Sequence, residues 1–226
     1  MKVAILFSGG KDSNFALLKA KEYHDVVCLV SLLSENKESY MFQTVNVSLT
    51  KLQAEAMGFP LIQKKTKGAK EDELEDLREA LIQAKEEYGI EGIVTGALGS
   101  IYQASRVQRI CNDLKLWCFN PIWLKNQFEL LNELIENKFE VIISGVFAEP
   151  LNQSFLGKKI DKDFVEKMKV LHDKYSINPA GEGGEIETSV LDSPFFKKKI
   201  VVEESKINFE HNSGTFDIKK ARLVEK

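Results

Sequence analysis

Short apolar runs alternate with stretches of helical spacing through the first half of the chain. The first apolar run, at residues 3–7, is followed by a glycine turn and then by a helical stretch at 14–20. Later apolar runs predict strands at 26–33, 61–62, 93–95 and 116–119, and helical spacing predicts helices at 50–57, 71–88 and 100–114. This alternation predicts an α/β fold with a parallel sheet and helices on both faces.

The pattern changes after Pro121-Ile122-Trp123, a segment that reads as a domain edge. A helix is predicted at 126–137, a strand at 141–146 and a helix at 161–175. Three short apolar runs then predict strands at 200–202, 207–209 and 216–218, with a turn at 212–214. We therefore expect a domain at 1–124 and a smaller C-terminal α/β domain at 125–226 with a β-rich tail.

The segment Ser8-Gly9-Gly10-Lys11-Asp12-Ser13 joins the first predicted strand to the first helix. Two glycines allow a tight turn and a close approach to a ligand, and a helix N-terminus attracts anions. Lys11 can add a positive charge, Ser8 and Ser13 add hydroxyls, and Asp12 can hold magnesium, which prefers oxygen ligands. These features predict a phosphate or pyrophosphate site, whereas the simpler interpretation is an ordinary strand-to-helix turn.

A second polar segment, at 95–103, follows a predicted strand and is itself followed by Arg106 and Arg109. Ligands of parallel sheets bind beyond the carboxyl ends of the strands, so this segment is a candidate for the same crevice. Its candidate ligand-binding residues are Gly96, Ser100, Tyr102, Gln103 and Arg106. Either arginine can bind a phosphate or carboxylate in a bidentate manner. The alternative is a plain connecting loop with arginines on a solvated helix face.

A third segment, Gly181-Glu182-Gly183-Gly184-Glu185-Ile186-Glu187-Thr188, interleaves glycines with carboxylates. Dense negative charge on a flexible backbone can hold magnesium or a cationic group of a substrate. In extended backbone, Glu185 and Glu187 face the same side. A solvated acidic turn is the alternative. A further loop at 38–46 mixes aromatic and polar residues, which suits a position near adenine or ribose as well as it suits a plain connection.

Composition narrows the class of protein. The 226 residues are 43% hydrophobic and 29% charged, with a net charge of −3, which disfavours a dedicated nucleic-acid binder. The three cysteines form no CxxC pair, as is usual in a reducing cytosol. The short apolar run before the glycine turn is not a signal peptide, and no apolar run has membrane-spanning length. We expect a cytoplasmic protein without membrane contact.

Together these segments resemble the diphthine–ammonia ligase family, a branch of the PP-loop ATP pyrophosphatases with the HUP-like (adenine nucleotide alpha-hydrolase-like) fold. The resemblance covers nearly the whole chain. It rests on SGGKDS at 8–13, SYMFQTVN at 39–46, TGALGSIYQASRVQ at 95–108 and GEGGEIET at 181–188. One departure is Gln43, where the family is expected to have a histidine.

The resemblance implies an ATP-dependent ligase that amidates diphthine, the modified histidine of elongation factor 2, with ammonium. It implies a PP-loop ATP-binding domain at 1–124, a substrate-binding domain at 125–226, and ATP and Mg²⁺ as cofactors. A homo-oligomer is compatible with it. The implied catalytic residues are Lys11, Asp12, Glu185 and Glu187, with Asp12 on the metal. The implied nucleotide-binding residues are Ser8, Gly9, Gly10, Lys11, Asp12, Ser13, Gly96, Ser100, Tyr102, Gln103 and Arg106, and the implied substrate-binding residues are Glu182, Gly183, Gly184, Glu185, Glu187 and Thr188.

Two other functions are compatible with the sequence. Other PP-loop proteins modify tRNA, although the acidic composition and the scattered cysteines disfavour RNA thiolation. A protein that binds ATP without cleaving it is the non-enzymatic alternative. No cysteine has the sequence context of a glutaminase nucleophile, so free ammonium is the expected nitrogen donor.

Overall fold

The computed structural model describes residues 1–34, 45–67 and 72–226. Contacts divide the chain into two units, Met1–Leu124 and Lys125–Lys226, called here the first and the second unit. Among the described residues, no helix is long and apolar enough to cross a membrane.

A parallel sheet forms the centre of the first unit. Its strands are β1 (Lys2–Leu6), β2 (Asp25–Ser34), β3 (Leu61–Thr66), β4 (Gly92–Val94) and β5 (Trp117–Phe119), in the order β3-β2-β1-β4-β5. Every neighbouring pair is parallel. The predicted parallel sheet is confirmed.

Helices α1 (Lys11–Ala20), α2 (Thr50–Met57), α3 (Asp72–Tyr88) and α4 (Ile101–Asp113) cover this sheet. Ala4 and Val30 pack into one core cluster with the buried leucines of α3 and the buried face of α4. Val3 and Ile5, fully buried as well, point to the opposite face because side chains alternate along a strand. The central strand β1 is therefore enclosed on both faces.

The order of the strands fixes where a ligand can bind. From β1 the chain moves to β2 and β3 on one side, and then crosses to β4 and β5 on the other side of β1. The strand order reverses between β1 and β4, because the chain continues from β1 to β2 on one side and from β4 to β5 on the other. Such a topological switch point is the usual ligand crevice of an open α/β sheet.

An antiparallel sheet forms the second unit. Its strands are β6 (Glu140–Val146), β7 (Ile186–Asp192), β8 (Lys198–Glu210) and β9 (Ser213–Glu225), in the order β7-β6-β9-β8. Helices α5 (Gln127–Glu136) and α6 (Lys162–Tyr175) belong to the same unit. The predicted second α/β part with a β-rich tail is confirmed.

The strands of this tail differ from the sequence-based prediction. The runs at 200–202 and 207–209 lie in the single strand β8, because β9 supplies ladder partners through the polar stretch between them. The hairpin turn lies at His211 and Asn212, both with positive φ, and not at 212–214. Strand β7 was not predicted, because the acidic glycine segment that precedes it favours a loop.

Candidate active site

The glycine segment begins where β1 ends, at the switch point of the parallel sheet. The backbone N–H of Phe7 still donates to the carbonyl of Val30 at 2.7 Å, so the segment starts from an anchored backbone. Gly10 is extended (φ −80°, ψ 172°), and Lys11 is the first residue of α1. Of the described side chains, none caps this helix. The first-turn N–H groups therefore lack a capping side chain, and this arrangement favours an anion.

Lys11 and Asp12 form an ion pair in the loop. The Lys11 side chain is only 3% exposed, and its Nζ donates to Oδ2 of Asp12 at 2.8 Å. The other carboxylate oxygen of Asp12, Oδ1, is buried and accepts no hydrogen bond from the described part of the chain. Ser13 Oγ donates to the carbonyl of Gly10 at 3.1 Å, and it lies 3.3 Å from Ser8 Oγ. The charged and hydroxyl groups of the motif are thus held by contacts with one another and with the loop backbone.

Two buried amides that sequence reasoning missed support the glycines. Gln53 on α2 is fully buried, and its Nε2 donates to the carbonyl of Gly9 at 2.8 Å. Asn14 donates to the carbonyl of Gly10 at 3.0 Å. Gly9 has φ +83°, and a Cβ there would lie 2.5 Å from Oε1 of Gln53. The available signal was that Gln53 occupies the buried face of α2 at helical spacing, where an apolar residue is usual.

The loop after β4 packs directly against the start of α1. A Cβ on Gly96 would lie 2.7 Å from the carbonyl carbon of Asp12 and from the nitrogen of Ser13. Thr95 holds this loop, since its hydroxyl donates to Asn120 Oδ1 at 2.5 Å and accepts from the N–H of Ala97 at 3.1 Å. The two sequence segments that flank the switch point are therefore in contact, and Gly96 serves this contact between backbones.

The start of α4 carries the remaining candidates of the first unit. Ser100 is the N-cap residue and accepts from the N–H of Gln103 at 3.3 Å. The guanidinium of Arg106 lies over the ring of Tyr102, 3.6 Å from its centroid. Tyr102 also packs against the core, and Arg109 is exposed. One face of the Tyr102 ring is thus already covered by a cation of the chain itself.

The acidic glycine segment lies in the second unit, immediately before and within β7. Gly181 and Gly184 have φ of +76° and +85°. The turn needs glycine at both positions, because other residues rarely adopt such φ values. Ile186 begins the strand, and Glu187 lies opposite Gly145 in the ladder with β6. Thr188 is buried. Only residues 186–188 of the segment therefore lie in the strand, and Glu185 precedes it.

Glu185 is held by a residue that sequence reasoning missed. Its Oε1 accepts from the side-chain amide of Asn178 at 2.6 Å and from the backbone N–H of Asn178 at 3.2 Å. Its Oε2 is buried and has no hydrogen-bond partner among the described residues. One carboxylate oxygen is thus held by two donors, and the other receives no hydrogen bond from the described residues.

The described cysteines offer no metal centre, and the described residues contain no group of three or more His, Cys, Asp or Glu that could hold a metal ion. Burial raises the pKa of Cys28 to about 12. The hydrogen bond between Cys111 and Cys118 raises the pKa of Cys111, which burial raises further, and lowers the pKa of Cys118. The sequence spacing gave no sign of this thiol pair. The loop at 38–46, including Gln43, lies outside the described residues except for Val45 and Asn46.

A glycine loop that opens a helix beside the switch point of a five-stranded parallel sheet defines an α/β protein with a candidate anion-binding site. Two family models match this chain. "Diphthamide synthase N-terminal domain" matches residues 1–117, and "Diphthamide synthase C-terminal domain" matches residues 126–224. The chain belongs to the diphthamide synthase family. The resemblance predicted from the sequence is confirmed.

Curated relatives agree with this membership. A protein of Bos taurus named diphthine–ammonia ligase is 38% identical over 96% of this chain and 88% of its own length. The protein of that name from Rattus norvegicus is 40% identical over 91% of this chain and 84% of its own length. The one from Saccharomyces cerevisiae is 31% identical over 87% of this chain and 34% of its own length. These names are those of C–N ligases, which confirms the predicted enzyme class.

Two solved structures are less similar to this chain than the curated relatives are. One, described as a predicted subunit of tRNA methyltransferase from Methanocaldococcus jannaschii, has a TM-score of 0.41 at 15% identity and covers 86% of this chain and 98% of that chain. The U34-tRNA thiolase NcsA from Methanococcus maripaludis has a TM-score of 0.38 at 14% identity and covers 82% of this chain and 70% of that chain.

Proposed function

We propose that this chain amidates the diphthine residue of elongation factor 2 with ammonium, using ATP and producing diphthamide, AMP and pyrophosphate. The observation that carries the proposal is the uncapped start of α1 at the switch point, in a chain of the diphthamide synthase family. On this proposal residues 1–124 bind ATP and residues 125–226 recognise the acceptor. The reaction belongs to the cytoplasm, where elongation factor 2 works.

The reaction needs ATP because a carboxylate has no good leaving group. One oxygen of the diphthine carboxylate attacks the α-phosphorus, the bond to the β-phosphate breaks, and pyrophosphate leaves with the bonding electrons. Ammonia, formed by loss of a proton from ammonium, then attacks the acyl carbon. AMP leaves, the nitrogen loses a second proton, and the amide remains. Each step releases an anion that needs stabilisation.

The glycine loop has the groups that this stabilisation requires. Backbone N–H groups at the start of α1 favour the phosphate oxygens, and Ser8, Gly9, Gly10 and Ser13 form the wall of the loop. Lys11 supplies the positive charge. Gly96, Ser100, Tyr102, Gln103 and Arg106 extend the nucleotide site along the neighbouring loop and the start of α4.

Magnesium fits the loop through one residue. Oδ1 of Asp12 is a buried carboxylate oxygen that accepts no hydrogen bond from the described residues, and magnesium is commonly held by one carboxylate together with substrate phosphates. The ion would neutralise charge on the phosphates. Lys11 keeps Oδ2 of the same carboxylate in place at 2.8 Å.

The acidic glycine segment is the proposed acceptor site. Diphthine carries a quaternary ammonium group, and Glu182, Gly183, Gly184, Glu185, Glu187 and Thr188 combine carboxylates with an accessible backbone. A cation–π contact with the ring of Tyr102 is another way to hold a quaternary ammonium group. Because Arg106 covers one face of that ring, the carboxylates are the stronger candidates.

The test measures AMP, pyrophosphate and the acceptor together. Purified chain is incubated with ATP, magnesium, nitrogen-labelled ammonium and elongation factor 2 carrying diphthine. Labelled amide in the acceptor, formed with one AMP and one pyrophosphate, is the expected result. ATP cleavage that depends on tRNA and not on elongation factor 2 would contradict the proposal in favour of RNA modification, and ATP binding without cleavage would favour a binding protein.

Paired variants assign the two sites. Lys11→Met and Asp12→Asn preserve side-chain shape and should lower AMP formation by about a hundredfold or more, as expected for losing preorganised charge. The double change Glu185→Gln and Glu187→Gln should weaken use of the acceptor while the KM for ATP stays the same. Lys19→Met, on the outer part of α1, is the control and should behave like the wild type.

A further inference from the structure

A chain of side-chain amides ends on Glu185 in the second unit. The backbone N–H of Ala180 donates to Oε1 of Gln127 at 2.9 Å. Nε2 of Gln127 donates to Oδ1 of Asn178 at 3.1 Å, and Nδ2 of Asn178 donates to Oε1 of Glu185 at 2.6 Å. Three hydrogen bonds therefore connect a backbone amide of the loop to one oxygen of the carboxylate.

The direction of this chain is fixed at both ends. A backbone N–H can only donate, so the group of Gln127 that faces Ala180 must be its oxygen. The nitrogen of Gln127 then faces Asn178, and the nitrogen of Asn178 faces Glu185. An ionised carboxylate can only accept, which is what this last position demands. Gln127 and Asn178 each have one orientation that satisfies all three bonds.

We infer that Gln127 and Asn178 are positioning residues that fix Oε1 of Glu185 and leave its Oε2 for the cationic group of the acceptor. This inference rests on the proposed function, because it assigns a role within the acceptor site. Oε1 is occupied by two donors of Asn178, whereas Oε2 is buried and accepts nothing from the described residues. The amide chain thus selects which oxygen meets the ligand.

The sharpest single change is Gln127→Glu. It keeps the oxygen that accepts from Ala180 but places a second oxygen against Oδ1 of Asn178. Asn178 must then rotate its amide, which turns Oδ1 toward the Glu185 carboxylate and removes the donor. Gln127 is the first residue of α5, where an acidic side chain suits the helix dipole, so the helix itself is not weakened.

The expected result is a selective effect on the acceptor. Gln127→Glu should raise the KM for diphthine-bearing elongation factor 2 by roughly tenfold, as expected for losing one charge-assisted hydrogen bond. The KM for ATP and the thermal midpoint should stay the same. The control is Gln153→Glu, which makes the same substitution at an exposed residue that also begins a helical turn.

A double variant separates positioning from a general structural role. In Glu185→Gln the new amide can rotate and donate to the rotated Asn178, so adding Gln127→Glu should cause little further loss. A residue that merely stabilised the loop would add its full effect in both backgrounds, because independent sites are additive.

Each outcome decides between the alternatives. An acceptor KM for Gln127→Glu equal to that of Gln153→Glu overturns the inference while the proposed function stands. A raised KM for ATP, a lowered thermal midpoint, or full additivity with Glu185→Gln also overturns it. If the wild type forms no AMP in response to the acceptor, the proposed function fails and the inference fails with it.

Discussion

Gln53 and Asn14 show how much of the glycine loop depends on single polar residues outside the motif. Both are fully buried, and each donates a side-chain hydrogen bond to the backbone carbonyl of a loop glycine. A buried carbonyl that loses its donor costs free energy, which accounts for two polar side chains at positions where apolar ones are usual. On the proposed function the motif residues bind ATP, and these two amides hold the backbone of the motif.

Replacing Gln53 should therefore weaken nucleotide binding without direct contact to the nucleotide. Gln53→Met keeps the length of the side chain but removes the donor to Gly9. We expect the KM for ATP to rise about tenfold, since an unsatisfied buried carbonyl leaves the loop free to move. Initial rates at varied ATP concentration measure this. Gln83→Met, at an exposed position of α3, is the control, and equal KM values for the two variants would contradict the prediction.

The candidate residues come from the sequence, whereas the residues that hold them in place become visible only in the structure. The motif SGGKDS at 8–13 is recognisable because glycines, a lysine and hydroxyl residues together at a strand-to-helix junction are typical of a phosphate-binding loop. Gln127 and Asn178 carry no such signal, since single amides occur anywhere on a surface. Their partners lie 53 and 7 residues away, and only the folded chain brings them together.

At the scale of elements, helices were predicted more accurately than strands. The α2 prediction at 50–57 has the observed bounds, and Asn126 and Asp161 are observed as the N-caps of α5 and α6. Caps and helical periodicity are local signals. β7 and the middle of β8 depend on pairing partners distant in sequence, so their own residues predict little.

The contact between the β4 loop and α1 allows only glycine at position 96. In Gly96→Ala the new methyl would lie 2.7 Å from backbone atoms of α1, so the helix start must shift. We expect a loss of roughly 1–3 kcal/mol in the free energy of unfolding, typical of overpacking, and a large fall in AMP formation. Denaturant unfolding and the AMP assay measure the two effects.

Gly89→Ala is the matched comparison for this substitution. Gly89 has φ +65° and nothing within 4 Å of its Cβ position, so alanine is strained there without a clash. It should cost about 1 kcal/mol and leave AMP formation unchanged. Equal AMP formation by the two variants would show that the α1 start tolerates displacement.

Glu140 connects two strands that are not neighbours in their sheet. At the start of β6, its carboxylate accepts from Lys159 at 2.7 Å and from Lys199 of β8 at 2.6 Å. Partial burial raises the pKa of Glu140, but the hydrogen bonds from the two lysines outweigh burial and keep the pKa below its usual 4.5. The ionised form is thus favoured in the folded protein.

This pKa gives the pH dependence of one stabilising interaction. Because the pKa of Glu140 is lower in the folded than in the unfolded chain, its ionisation stabilises the protein at pH values above the usual carboxyl pKa. This stabilisation is lost as the pH falls through the folded-state pKa. Glu140→Gln should lower the free energy of unfolding by roughly 0.5–1 kcal/mol at neutral pH, and the difference from the wild type should vanish in acid. Denaturant unfolding at several pH values measures it, and the exposed Glu204→Gln serves as the control. A difference independent of pH would contradict the prediction.

For the whole molecule, the thiols bear on the source of nitrogen. Releasing ammonia from glutamine with a cysteine requires a reactive thiolate. Cys28 and Cys111 are buried with raised pKa values, so neither supplies a thiolate. Cys118, whose pKa is lowered by its hydrogen bond with Cys111, is half-buried and lacks the sequence context of a glutaminase nucleophile. We expect ammonium to support amidation and glutamine to fail, with Cys118→Ser equal to the wild type. Turnover with glutamine that Cys118→Ser abolishes would contradict this.

The position of β1 at the centre of its sheet has a consequence for hydrogen exchange. One loop of the proposed nucleotide site follows β1, and the other follows the neighbouring strand β4. The Phe7 N–H, which donates to the carbonyl of Val30, directly precedes the motif. An amide in such a place exchanges with solvent deuterium only when the surrounding unit unfolds. The Phe7 amide should therefore be among the slowest of the first unit, and ATP should slow it further by stabilising the folded state. Nucleotide bound at the surface would thus be detected in the most protected strand of the sheet.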